Sequence, residues 1–237
     1  MDFLAVLNEI DNFIWGPPLL VLLVGTGILL TIRLHLLQIF KLPKALSLIF
    51  RAQNAGSGDI DSFKALCTAL SATVGTGNIV GVATAIHAGG PGALFWMWMA
   101  AYFGMATKYA EGLLAVKYRE TDEKGEIAGG PMYYIKNGMG EKWKWLAGAF
   151  SVLAALAAFG IGNMSQANSI VGSVTDAVCA VNPDFSGQAA LRWGLGIGLA
   201  LLTALVLFGG IKRIGAVTEK LIPFMSVAYI LMTLIVI

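Results

Sequence analysis

The sequence predicts an all-α integral membrane protein, and three observations carry that prediction. Apolar residues make up 57% of the chain and charged residues 13%, about half the charged share of an ordinary soluble domain. Apolar stretches of roughly 20 residues, the length a helix needs to cross the hydrocarbon core, recur along the chain. The basic residues gather in the connections on one side of those stretches, as cytoplasmic loops require. A formal net charge of +2 therefore says little about partners, and no basic patch with interleaved aromatics points to nucleic acid. Cys67 and Cys179 fit neither a zinc spacing nor a disulfide framework, and His35 and His87 are isolated, which argues against metal-hydrolase and thiol chemistry.

Asp2, Glu9 and Asp11 stand where a secretory signal would be basic, so the first apolar run is read as a retained span. That span is placed at Phe13 to Ile32, with Trp15 at the interface and Pro17 and Pro18 in the first turn, where proline costs least. Arg33, His35, Lys41, Lys44 and Arg51 follow, then a polar stretch from Gln53 to Asp61. The second span, Phe63 to Ala88, ends at the turn Gly89, Gly90, Pro91, and the third runs from Gly92 to about Val116 as its antiparallel neighbour. Lys108 and Glu111 lie within it three residues apart, close enough to pair. Lys117 to Trp145 is the longest polar connection and is placed on the membrane surface. A fourth span covers Trp145 to Ser173 and an acidic loop, Val174 to Gln188 with Asp176 and Asp184, follows. The fifth span is Ala189 to Phe208. After a basic turn with Lys212, Arg213 and Lys220, the sixth begins near Leu221 with Pro223 in its first turn and stops at Ile237. Fourteen of the sixteen basic residues fall on one side in this arrangement, Lys108 and Arg192 being the others. The bias puts the N-terminus outside.

The second span cannot stay helical throughout. Ser71 to Gly81 reads S-A-T-V-G-T-G-N-I-V-G; Gly75 and Gly77 each weaken a helix by roughly 1 kcal/mol relative to alanine, and Thr73, Thr76 and Asn78 offer oxygens that compete for backbone groups. Freed backbone groups inside a bilayer are tolerated where they line a cavity or bind something. The plainer alternative is that the small residues let a neighbouring helix approach. In the fourth span Phe159, Asn163, Gln166 and Ile170 fall within about 60° of one another at 100° per residue. Asn163 and Gln166 on that stripe either bind a ligand or join neighbouring helices.

Three stretches carry a family resemblance: Ser71 to Gly81, G-G-P-G-A-L-F-W-M-W-M (Gly89 to Met99), and F-G-I-G-N-M-S-Q-A-N-S (Phe159 to Ser169). With G-G-P-M-Y-Y-I (Gly129 to Ile135), they make the chain resemble the sodium:alanine (alanine or glycine:cation) symporters over nearly its whole length. The resemblance implies a multi-pass transporter of the plasma membrane that takes up small neutral amino acids, such as alanine or glycine, by symport with sodium. It implies no cofactor beyond sodium as coupling ion, and no enzymatic activity. The implied fold is leucine-transporter-like, with inverted repeats. Residues 1–62 would hold an extra first helix and a cytoplasmic connection, and residues 63–237 most of the first repeat, about six transmembrane helices in all. The second repeat is expected to be missing, so the chain reads as truncated.

An amino-acid zwitterion needs donors for its carboxylate and acceptors for its ammonium group. N–H groups near Gly75, Thr76 and Gly77 sit at the positive end of the half-helix that resumes after the break, which favours a carboxylate. The Asn78 amide oxygen and the carbonyls of Ser71, Thr73 and Val74 offer the neutral oxygens that sodium prefers. The fold resemblance assigns Ser71 and Val74 to one sodium site. Gln166 is the candidate for polar contact with the substrate, Asn163 lies on the same stripe, and Phe159 is the candidate wall limiting side-chain size. A substituent at Gly77 is expected to crowd this site. The competing readings are a channel or a proton-coupled amino-acid permease.

Overall fold

A computed structural model describes residues 3–50, 59–121, 123, 125, 127–183 and 185–236. Asp2, Arg51, the segment 53–58, Lys124, Asp184 and Ile237, each placed by the sequence reading, lie outside the described residues. The protein is almost entirely helical. Among the described residues four helical stretches are long and apolar enough to cross a membrane: Leu4–Arg33, Glu141–Val181, Gln188–Leu207 and Gly210–Val236. The bent pair Ser62–Thr73 and Gly77–Gly89 has the length and composition of a fifth, as a broken span or a re-entrant loop. The 26-residue helix Gly92–Lys117 is about 39 Å long at 1.5 Å per residue, enough for a sixth by length. Its tryptophans, tyrosines and glycines, with Lys108 and Glu111, lower its mean hydropathy. The chain divides into two compact units, residues 1–47 with 82–147, and residues 48–81 with 148–237.

The first unit opens with α1 (Phe3–Trp15) and α2 (Pro17–Arg33). The helix therefore starts well before Phe13, and Pro17 and Pro18 open its second part. Glu9 and its polar neighbours do not stop a helix that costs them little propensity. After α2, His35 and Leu36 both take φ of 53°, an unfavourable region for branched or bulky residues. This reversal brings α3 (Leu37–Phe40) back, so that the buried Gln38 donates from Nε2 to the Thr31 hydroxyl at 2.7 Å and to the Tyr102 carbonyl at 3.4 Å. A further helix, α4 (Leu42–Phe50), lies where the sequence reading had only a basic connection.

A short break in the second span precedes α6 (Val82–Gly89), which packs on α7 (Gly92–Lys117) across a turn in which Gly90 has φ of +67°. The principal contact of the unit is α2 against α7. A Cβ on Gly27 would lie 2.8 Å from the Phe103 Cβ and 3.0 Å from its carbonyl oxygen, so only glycine lets these backbones meet. Gly27→Ala is therefore expected to destabilise the protein by roughly 1–3 kcal/mol through overpacking. Gly25→Ala, which meets nothing within 4 Å, should be neutral in the same thermal-unfolding assay in detergent.

Lys108 and Glu111 do pair, at 3.0 Å and largely exposed. In the polar connection, Glu120–Thr121 (β1) and Ile127–Ala128 (β2) form a minimal antiparallel ladder, a departure from all-α, followed by α8 (Pro131–Met139). Asn137 and Lys136 on α8 both donate to Glu120, at 2.9 and 3.0 Å, and hold its carboxyl below the usual range.

In the second unit α5 (Ser62–Thr73) packs along α12 (Gly210–Val236). Asp61 caps α5 by accepting from the Lys64 N–H at 2.8 Å, which with the Lys64 ammonium at 2.9 Å holds its carboxyl low. Lys64 also faces Glu219 at 3.8 Å, and the Thr68 and Thr218 hydroxyls meet at 3.2 Å, with Cys67 buried beside them at 2% exposure. The last helix thus begins at Gly210 rather than near Leu221. Lys212, Arg213 and Lys220 lie within it, and Pro223 is interior, where it leaves the Glu219 carbonyl without a helical donor. The fourth span likewise outruns its expected end. After α9 (Lys144–Ala157), α10 (Ser165–Val181) absorbs half of the expected acidic loop, because Thr175, Val178 and Cys179 keep the helix supplied with inward residues around Asp176. Both cysteines are free. α11 (Gln188–Leu207) matches its expected bounds within a residue.

Candidate functional site

α5 stops at Thr73, and Val74 leaves it with φ of −84° and ψ of 107°, although its own N–H still reaches the Leu70 carbonyl at 2.8 Å. In an unbroken helix the next two N–H groups would go to the carbonyls of Ser71 and Ala72. They go elsewhere. The Gly75 N–H donates to Asn78 Oδ1 at 3.1 Å, and the Thr76 N–H donates to Gln166 Oε1 at 3.4 Å. The Asn78 N–H returns to the Gly75 carbonyl at 3.1 Å, closing a small ring. Two side-chain carboxamides thus divert the donors, and the carbonyls of Ser71 and Ala72 lose their helical partners. The chain resumes as a π turn, Gly77–Gly81, leading into α6.

The Ser71 hydroxyl donates to the Thr68 carbonyl at 2.7 Å and the Thr73 hydroxyl to that of Ala69 at 2.8 Å. Both are spent as donors on α5, which leaves their oxygens free to act as acceptors. Opposite the break, Gln166 sits in the first turn of α10, just after a π segment, Ala158–Met164. Its carboxamide approaches the chain because Gly75 is bare: a Cβ there would lie 3.0 Å from Gln166 Nε2 and 3.2 Å from Oε1. A Cβ on Gly77 would meet nothing within 4 Å. Among protein atoms the close approach at the break is therefore at Gly75.

Of the residues singled out on the fourth span, Gln166 reaches the break, whereas Phe159 is 72% exposed and Asn163 is exposed. The 100° rule fails across the π segment, which carries an extra residue per turn. Gly160 and Gly162 were the available signal for it. The Gln166 bond to Thr76 joins residues 90 apart and had no local signature.

Chemically, the site offers two backbone donors at the start of a helical segment, where partial positive charge collects. Each is held by a neutral carboxamide oxygen, an acceptor of the kind a carboxylate can replace. On the other side of the break lie carbonyl oxygens without helical donors, the type of ligand that unwound membrane helices present to monovalent cations.

Comparison with known proteins decides the family. The profile of the sodium:alanine symporter family matches residues 1–237. This chain belongs to the sodium:alanine symporter family. The sodium/alanine symporter AgcS of Methanococcus maripaludis is 51% identical over 240 residues, covering 100% of this chain and 51% of that protein. A putative sodium/proton-dependent alanine carrier protein, YrbD, of Bacillus subtilis is 39% identical over 100% of this chain and 45% of its own length. A probable sodium/glutamine symporter, GlnT, of the same organism is 35% identical over 93% of this chain and 44% of its own length. The chain spans about half the length of the curated relatives it matches. The sodium:alanine symporter family is one of transporters and not of enzymes, in keeping with the apolar helices of a multi-pass membrane protein.

Proposed function

We propose that the protein takes up small neutral amino acids, alanine or glycine, by symport with sodium across the plasma membrane, on a leucine-transporter-like fold. Residues 63–237 supply most of the first inverted repeat of the transporter core, and residues 1–62 the preceding helix and its cytoplasmic connection, with the N-terminus extracytoplasmic. The substrate carboxylate is received by the N–H groups of Gly75, Thr76 and Gly77, and Asn78, Asn163 and Gln166 supply polar contacts beside Phe159. Sodium takes oxygens of Ser71, Thr73, Val74 and Asn78. The observation that carries this reading is the diversion of two successive N–H groups at the break to Asn78 and Gln166. It leaves donors and acceptors side by side in a membrane span, as a zwitterion and a cation require. The name of the Bacillus subtilis relative, sodium/proton-dependent, favours proton coupling as a second reading.

The test is alanine uptake by the full-length protein in proteoliposomes. Replacing external sodium by choline is expected to abolish accumulation, and a pH gradient should not restore it. Restoration by the pH gradient would favour proton coupling, and downhill flux without accumulation in either gradient would overturn symport.

A further inference from the structure

The sequence of the fourth span and its conformation disagree. At α spacing Phe159, Asn163, Gln166 and Ile170 share one face. In the structure residues 158–164 form a π segment, with the Ser165 N–H on the Gly160 carbonyl. One extra residue per turn rotates the helix before the segment against the helix after it by roughly 100°. Gln166, after the segment, meets Gly75 and Thr76, whereas Phe159, near its start, is 72% exposed. Little in the surroundings pins the π geometry: a Cβ on Gly160 would meet nothing within 4 Å, and one on Gly162 only the Ala158 Cβ at 3.9 Å. A local pattern that conflicts with the folded register is frustrated.

We propose that residues 158–164 are a register switch, in which the π register presents Gln166 alone to the break and an α register adds Phe159 and Asn163, closing the pocket over a bound amino acid. This rests on the reading of the break as the amino-acid site. The trigger is competition for the Thr76 N–H. A substrate carboxylate takes that donor from Gln166, whose bond is already long at 3.4 Å. The side-chain tie between α10 and the break is then released, and the segment can take up α-helical bonds. In the α register the Asn163 amide oxygen can accept from the substrate ammonium, and the Phe159 ring bounds the side-chain volume. Restriction to small amino acids then arises from closure, as well as from the open site.

Hydrogen exchange of the full-length wild-type protein tests the idea without a variant that must fold. Exchange of the amides of residues 158–165 is expected to slow by about tenfold or more when sodium and alanine are added together, as a shift of population out of the π register would give. A second arm separates rotation from simple stiffening: Phe159→Cys, with Cys67 and Cys179 replaced by alanine, should be modified by a polar thiol reagent at least about tenfold more slowly with both ligands. Unchanged exchange, or no protection of the thiol in the Phe159→Cys variant when calorimetry shows that variant to bind alanine, overturns the switch and leaves the site reading intact. If the wild-type protein binds no alanine in the presence of sodium, the site reading itself falls.

Discussion

Gly75→Ala is expected to lower sodium-dependent alanine uptake at limiting substrate by about ten- to a hundredfold while leaving membrane insertion and thermal stability nearly unchanged. The added methyl would sit 3.0 Å from one atom of the Gln166 carboxamide and 3.2 Å from another, tighter than ordinary contact, and the group that yields is the flexible end of a side chain. The fold loses little. The site loses more, because Gln166 is displaced from the place where it would meet substrate. A hydrogen bond to a charged group is worth roughly 1.5–3 kcal/mol, which is about one to two powers of ten in affinity. Gly77→Ala is the paired control: its methyl meets nothing within 4 Å, so its uptake should stay within about threefold of wild type, below 1 kcal/mol. Measuring apparent alanine affinity for both at matched surface expression decides the matter. A crippled Gly77→Ala beside a normal Gly75→Ala would show that the crowded position is Gly77, as the sequence predicts.

The two glycines show which parts of the molecule can be read from a chain of residues. The existence of the break was legible, because glycine, threonine and asparagine act locally, within one helical turn. The span Gly92–Lys117 was legible for the same reason, being fixed by the turn at Gly90 and Pro91. Which glycine of the break must be bare was not, since it depends on Gln166, brought in from a distant helix. Helix ends were misjudged where charge was read as a stop. Lys212, Arg213 and Asp176 all lie inside helices, because a helix tolerates charge on an exposed face. The face of the fourth span could not be read by spacing for a different reason: the arithmetic of 100° per residue assumes an unbroken α-helix, and the seven residues of the π segment interrupt it.

Asn78→Ala should act mainly on sodium, and on a different part of the site from Gly75→Ala. In the structure Asn78 Oδ1 accepts from the Gly75 N–H, the donor that would otherwise cap the Ser71 carbonyl in a continuous helix. Without the carboxamide that N–H has a nearby alternative: it can return to Ser71, extending α5 by a residue and withdrawing a carbonyl oxygen from the proposed cation site. The substitution thus removes two neutral oxygens from sodium, the amide oxygen itself and the recaptured carbonyl, and leaves the path for substrate open. The sodium concentration for half-maximal uptake is expected to rise by about ten- to a hundredfold, the equivalent of roughly 1.5–3 kcal/mol, while alanine affinity at saturating sodium changes little. Asn78→Asp keeps an acceptor oxygen in the same place and should recover most of the sodium response. An Asn78→Ala protein with unaltered sodium dependence, at normal surface level, would mean that the ring between Gly75 and Asn78 only shapes the backbone and that sodium is bound elsewhere.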